Sequence, residues 1–255
     1  MLLSFTPQTQ LETLFVLNED GRIVSTREPN PGPGARFSLI RGVAQCAWAV
    51  HADVPEAQAA ALSALAREEP PCAEFRSDPV HADEYLSLIG GEVDSGPAFI
   101  FPQVIPGSEG VGLVTDLTQL EKHFQGWSED ELPDRSPILG VFEGDHAVSV
   151  CFCARKSALA AEAGLETTPI FRGRGLGPRV TAAWARAIRG SGSLPIYSTS
   201  WSNASSLAVA LTLGLEACAS DWSLVAEVLP SPGRPIVVER SRINERDPGK
   251  GECLE

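Results

Sequence analysis

Apolar and polar residues are arranged along the chain in short units that punctuate themselves. At 11–25 (LETLFVLNEDGRIVS) two apolar runs flank Asn18 to Gly21, the pattern of a β-hairpin. The run EPNPGPGAR at 28–36 is too rich in Pro and Gly for regular structure and reads as a loop. A short apolar stretch at 44–50 precedes helical periodicity over 54–69, opened by Asp53 and Pro55. A second helix is predicted over 83–89, and GPAFIFP at 96–102 has the continuous apolar character of a buried strand.

A new unit begins near Gly110. VGLVT at 111–115 predicts a strand, Asp116 is placed to cap a helix through Phe124, and EDELPD at 129–134 is an acidic loop. PILGVFE and AVSVCFCAR, joined at Gly144 and Asp145, predict an antiparallel hairpin over 137–155. A strand at 161–168 then runs into a glycine-rich turn. The helix predicted over 176–189 buries Val180, Ala183, Trp184, Ala187 and Ile188. A strand at 194–200, a helix at 203–213 and an apolar stretch at 222–229 follow. The tail from Pro230 is rich in proline and charge, with one last strand expected at 236–239. No repeat of fixed period is present. The expected organisation is an auxiliary α+β domain over 1–108, a main domain over 109–240 and a polar tail over 241–255.

Composition narrows the class. Hydrophobic residues make up 43% and charged residues 21%, which suits a globular domain rather than a disordered chain. No apolar run approaches the ~20 residues of a membrane helix. The first residues, MLLSFTPQTQLETLF, lack the basic start and cleavage site of a signal peptide, so a cytoplasmic protein without membrane association is expected. Cys151 and Cys153 share a strand face without neighbouring ligands, so buried free thiols are expected there and no metal site. The net charge of −13 argues against nucleic acid as a partner. Yet Arg172, Arg174, Arg179, Arg186 and Arg189 gather near the glycine turn, a local surplus that suits a phosphate-bearing ligand.

The turn itself reads Arg172, Gly173, Arg174, Gly175, Leu176, Gly177. Glycines at a strand-to-helix junction let the backbone approach a ligand closely, and the first helical N–H groups then point outward without partners, a cradle for phosphate or pyrophosphate. The spacing is not the G-x-G-x-x-G of a dinucleotide fold, and no G-x-x-x-x-G-K-[ST] loop occurs. The order of hairpin, strand, R-G-R-G-L-G, helix, strand, and then Asn203 opening a helix that ends in Leu213, Gly214 and Leu215 resembles the GNAT-type N-acetyltransferase superfamily. Arg172 to Gly177 match its [Q/R]-x-x-G-x-[G/A] motif. The resemblance covers about residues 110–228 and leaves the amino-terminal segment outside.

That resemblance implies an α/β (α+β) fold with a central mixed, mostly antiparallel sheet flanked by helices, to which the amino-terminal domain is added. It implies acetyl-CoA as cosubstrate, its pyrophosphate on the backbone of Arg172, Gly173, Arg174, Gly175, Leu176 and Gly177. The strands at 161–168 and 194–200 would splay to admit the pantetheine arm, with the thioester carbonyl at an N–H around Thr167, and Asn203 and Ser206 would meet the pantetheine. Acetyl transfer to an amine needs a base. Glu162 and Glu166 share a strand face; Glu166, nearer the motif, is favoured as base, with a solvated edge carboxylate as its plain alternative. Many family members carry a Tyr that protonates the departing thiolate, where this chain has Ala210; water, Tyr197 or Ser198 would have to serve. The acidic loop of Glu129, Asp130, Glu131 and Asp134 suggests a cationic acceptor, a small molecule or a protein amino group, and a homodimer is within expectation. A non-catalytic acyl-CoA-binding or sensing module is the competing reading.

Overall fold

The computed structural model describes residues 4–226 apart from residues 73 and 106. The strand expected at 236–239, the end of the apolar stretch at 222–229 and the polar tail lie outside the described residues. The amino-terminal segment contains α1 (Pro7–Leu14), β1 (Phe15–Leu17), β2 (Ile23–Thr26), β3 (Phe37–Gly42), β4 (Cys46–Val50), α2 (Glu56–Glu68), α3 (Ala82–Ile89) and β5 (Glu92–Ile100). After it come β6 (Gly112–Leu113), α4 (Thr118–Glu121), α5 (Leu132–Arg135), β7 (Leu139–Glu143), β8 (His146–Lys156) and β9 (Ala160–Thr167). The last elements are α6 (Leu176–Gly190), β10 (Leu194–Ser198), α7 (Ala204–Thr212) and β11 (Glu216–Val225).

Apart from the small β1–β2 hairpin, the strands form one nine-stranded sheet in the order β4-β3-β11-β5-β10-β9-β8-β7-β6. Among the described residues of this sheet only β9 and β10 pair in parallel; every other neighbouring pair is antiparallel. This is the mixed, mostly antiparallel sheet flanked by helices that the sequence predicts. The expected boundary near residue 108 falls on a connection between strands of this sheet. β5, from the amino-terminal side, lies between β10 and β11 and pairs with both.

Several local expectations are corrected. Residues 11–14 belong to α1, not to a hairpin strand, so the hairpin starts at Phe15. The cause lies upstream, where the Thr6 hydroxyl accepts from the Thr9 N–H at 3.1 Å and Pro7 occupies the first turn. The expected strand at 111–115 shortens to Gly112–Leu113, and the helix expected through Phe124 to Thr118–Glu121. Asp116 does not cap that helix; its carboxylate accepts from the Thr118 hydroxyl, which holds it below the usual carboxylate range. α2 is preceded by Pro55 rather than capped by Asp53, which instead lies 3.6 Å from His51.

The two faces of the sheet near β9 are built differently. On one, α6 and α7 pack Val180, Trp184, Ile188, Ala210 and Leu213 against Cys151, Cys153, Ala161 and Tyr197. Trp184 is fully buried, whereas Ala183 and Ala187, expected in the core, are only half-buried; the face that turns inward is led by Leu176, Thr181 and Ala185 as well. On the other face α4 and α5 cover Val150 and Phe152, and α1 crosses the ends of β8 and β9. Cys151 and Cys153 are buried free thiols, as expected, and burial pushes both thiols up.

Candidate functional site

The glycine turn forms as its residues dictate. β9 ends at Thr167, a short 3-10 turn spans Pro169–Phe171, and α6 begins at Leu176. Gly173 and Gly175 have φ of 75° and 71°, where an L side chain is strained, and a Cβ at either would meet no atom within 4 Å. The space above the turn is open. Gly175 precedes the helix without a side-chain cap, so the N–H groups of the first turn have no side-chain acceptor. Pro178 contributes no N–H of its own. The arginines brace the turn from behind: Arg172 Nε donates to Thr167 O at 3.1 Å and the Arg174 guanidinium donates to Ile170 O at 3.1 Å. Arg174 also lies 4.8 Å over the Phe171 ring. Uncapped donors, glycine backbone and open space fit an anionic group such as a pyrophosphate.

Beside the turn the sheet opens. β9 and β10 pair only through Ala160 with Leu194, Ala161 with Pro195 and Glu162 with Ile196, and β9 then runs on alone on that side to Thr167. The direction of the backbone groups follows from two bonds. Leu159 O accepts from Leu194 N–H at 2.9 Å, while Thr168 N–H turns the other way to Val148 O at 3.0 Å. Since alternate residues address opposite edges, the N–H groups of Ala163, Leu165 and Thr167 face the gap. The splay expected between these strands is present, and an extended ligand laid in it would meet a row of backbone donors and acceptors.

Side chains alternate in the same way. Ala161, Ala163 and Leu165 turn toward α6, so Glu162 and Glu166 share the opposite face, as their parity predicts. Their environments differ sharply. Glu166 is exposed, opposite Val150 on β8. Glu162 is 3% exposed and sits where the strands part, accepting from Arg155 at 2.8 Å and from the Ser198 hydroxyl. Arg155 in turn donates to Glu28 from the amino-terminal segment. Sequence reasoning put Glu166 ahead of Glu162 by its nearness to the glycine motif; the parity that flagged both gave no sign of Arg155 and Ser198 converging on Glu162. Asp221 on β11 belongs to the same charged neighbourhood, and burial first, then Glu162 and Asp94, pushes its carboxyl up to about 7 against the hydrogen bond from Gln10 at 3.1 Å.

On the α7 side, Asn203 is the helix N-cap, its Oδ1 accepting from Ser206 N–H at 3.1 Å. Ser206 is half-buried one turn along, and Ala210 is buried. The Tyr197 hydroxyl donates to Ser206 O at 3.4 Å, and burial pushes its pKa up to about 12. Tyr197 thus packs in the core with its one polar atom at the first turn of α7. In the acidic loop, Glu131 is buried, paired with Arg135 at 2.8 Å and bonded by Asn30, whereas Glu129, Asp130 and Asp134 are exposed. Among the described residues no cluster of His, Cys, Asp or Glu is arranged to hold a metal ion, and no helix is long and apolar enough to cross a membrane.

Comparison with known proteins adds to this geometry. A family model described as FR47-like protein matches residues 138–223, which span β7 to most of β11 and include the turn, the gap and α7. With that match, the chain resembles the GNAT superfamily of N-acetyltransferases. A search of curated proteins finds no match. Among solved structures, a GNAT-family protein of Novosphingobium aromaticivorans is similar at 20% identity over 53% of this chain and 65% of its own, with a TM-score of 0.43. A GCN5-related N-acetyltransferase-like protein of Streptococcus suis is 16% identical over 76% of this chain and 84% of its own, with a TM-score of 0.42. A tandem GNAT protein from the clavulanic acid biosynthesis pathway is 16% identical over 84% of this chain and 82% of its own, with a TM-score of 0.42. The match to the first of these spans less than two thirds of that protein's length.

Proposed function

We propose that the protein is an acetyl-CoA-dependent N-acetyltransferase that passes an acetyl group directly to a primary amine, acting in the cytoplasm, with residues 1–108 as an auxiliary α+β unit. The observation that carries this reading is the opening between β9 and β10 beside an uncapped, glycine-led helix start. When bound, acetyl-CoA supplies the activated acyl group. The residues of this chain have the remaining tasks. The backbone of Arg172, Gly173, Arg174, Gly175, Leu176 and Gly177 takes the pyrophosphate. The N–H groups facing the gap pair with the pantetheine arm, and that of Thr167 polarises the thioester carbonyl, a contribution worth about 10²–10³ in rate for a well-placed donor. Asn203 commits its Oδ1 to Ser206 N–H and turns its amide nitrogen, with Ser206, toward the same arm.

Glu166 is the base of this mechanism, directly or through a water, because it lies on the face away from α6, exposed where an amine can approach. Glu162, locked between Arg155 and Ser198, holds the strand face and its charge in place. Ala210 donates no proton. The Ser198 hydroxyl is engaged by Glu162, and the Tyr197 hydroxyl donates to Ser206 O with its pKa pushed up by burial, so the departing thiolate draws its proton from water.

Ala210 also favours a second reading, an acyl-CoA-binding module without turnover. Isothermal titration with acetyl-CoA, followed by thiol release against a panel of amines, separates the two. Binding with amine-dependent release is expected. Binding without release would favour the sensing module, and absence of binding would remove both.

A further inference from the structure

The strand that bounds the gap on its far side, β10, has two neighbours and stays with only one of them. Its pairing with β9 ends at Glu162 and Ile196, whereas its pairing with β5 runs on through Tyr197 and Ser198. Past the strand the chain still follows β5: the Thr199 N–H donates to Pro97 O at 3.3 Å and the Trp201 N–H to Ser95 O at 3.2 Å. The return bond at Thr199 is missing for a covalent reason, since Pro97 has no N–H to give to the Thr199 carbonyl. That carbonyl lies over Gly96 instead. A Cβ on Gly96 would come closer to the Thr199 oxygen than any real contact allows and within 2.9 Å of Ser200 Cα, and the nearest atoms it would meet are all backbone. Gly96 has the parity of Ala98, which packs in the cluster under α1, so the crossing lies on the sheet face away from α6. A chain lying over β5 rather than beside it stands farther from β9.

We propose that the amino-terminal half holds the gap open, with Gly96 and Pro97 of β5 as positioning residues for the acyl arm. The proposal rests on the acetyl-CoA reading above. Pro97 frees the Thr199 peptide from the ladder, Gly96 gives it room, and together they draw the end of β10 away from β9. They act through β10, not by contact with the arm. The consequence reaches both walls of the gap. On β9, the N–H groups of Leu165 and Thr167 are left facing the opening with no strand beside them. On the other wall the crossing leads straight into α7: the Asn203 N–H donates to Ser200 O at 3.1 Å, and Asn203 in turn caps the helix at Ser206. The places of Asn203 and Ser206 beside the arm therefore follow from how residues 199–201 leave β5. β5 lies outside residues 138–223, which the family model matches, so a segment beyond the matched region shapes the site within it.

The test compares the full-length parent with Gly96→Ala, Pro97→Ala and, as a control on the exposed part of the same strand, Val93→Ala. Either change at the crossing returns the Thr199 peptide to the edge of β5, nearer β9: a methyl at 96 excludes it, and an N–H at 97 draws its carbonyl into the ladder. In Pro97→Ala, amide exchange followed by NMR should slow about tenfold or more at Leu165 and Thr167, as the narrowed gap lets them find acceptors on β10. Acetyl-CoA affinity measured by titration should fall about tenfold in the same variant and about 10²-fold in Gly96→Ala, the cost of a displacement of about 1 Å. Val93→Ala should match the parent in both measurements. A purely structural role for the two residues would change stability and leave exchange at Leu165 and Thr167 unchanged or faster. Exchange unchanged or faster in Pro97→Ala, or slower exchange with parental acetyl-CoA affinity, overturns the proposal, and Pro97→Ala decides alone if Gly96→Ala does not fold. Failure of the parent to bind acetyl-CoA would sink the acetyl-CoA reading instead. Exchange then still decides what holds the gap open: slowed at Leu165 and Thr167 in Pro97→Ala upholds the crossing, and unchanged overturns it.

Discussion

The two sides of the gap between β9 and β10 recognise by different means. Toward α6 and α7 the surroundings are apolar, and the groups on offer are backbone N–H donors of the glycine turn and of β9, with Asn203 at the α7 cap. Toward the opposite face the groups are side chains: Glu162, Arg155, Glu28 and Ser198 in one connected set, with Asp221 close by. A backbone site is written into a short run of sequence, because glycines and an open helix start suffice to make it. A side-chain site is assembled from distant segments and can vary without touching the first. On this account the first side recognises what many acyl-CoA users share, and the second sets what is particular to this chain.

Each side can be broken separately. The largest effect is expected from Glu166→Gln, which removes the base: amine-dependent thiol release should fall about 10²–10⁴-fold, with acetyl-CoA affinity unchanged by titration. Unaltered turnover would take Glu166 out of the mechanism. Arg155→Met leaves Glu162 buried beside an apolar chain, and chemical unfolding should show a loss on the order of 3 kcal/mol, reduced from the figure for a fully enclosed pair because Arg155 keeps some exposure. If stability were unchanged, the connected set would hold nothing together.

Asp221 gives a test by pH. Its carboxyl is raised to about 7 by burial, so between the pKa of an unfolded aspartate and 7 the folded state holds a proton that the unfolded state has released. Stability from this group is therefore full at low pH and is lost as pH rises through 7. Asp221→Asn, which keeps an acceptor for Gln10, should flatten the stability profile between pH 5 and 8 and gain about 2–4 kcal/mol at pH 8. A parallel profile in parent and variant would contradict the burial argument. The smallest effect is expected at Asn203→Ala, about 1 kcal/mol of stability from the lost cap, with a modest fall in acetyl-CoA affinity measured by titration.

How much was legible in the sequence follows the same division. The hairpin over 137–155, the strand before the turn, α6 and α7 were readable because each rests on local periodicity and punctuation. So was the parity of Glu162 and Glu166. α1 was misread where apolar alternation at 11–14 competed with the Thr6 and Pro7 signal just before it, and the cap won. The place of β5 between β10 and β11 was not legible, since strand order depends on pairings between segments far apart in the chain. The same holds for the Glu28–Arg155 half of the bridge to Glu162, whose two partners lie 127 positions apart in the chain. Nothing local to Arg155 announces it.

The central claim is that the glycine turn is an anion cradle for acetyl-CoA, and titration of acetyl-CoA into the parent and Gly175→Glu proteins tests it most directly. Gly175 combines a φ of 71° with open space above it, so a glutamate there adds both strain and a negative charge where the pyrophosphate would sit. Binding to the parent and its loss in the variant, with the variant still folded by circular dichroism, is the result predicted. Equal binding by both proteins, or none by the parent, would contradict the account.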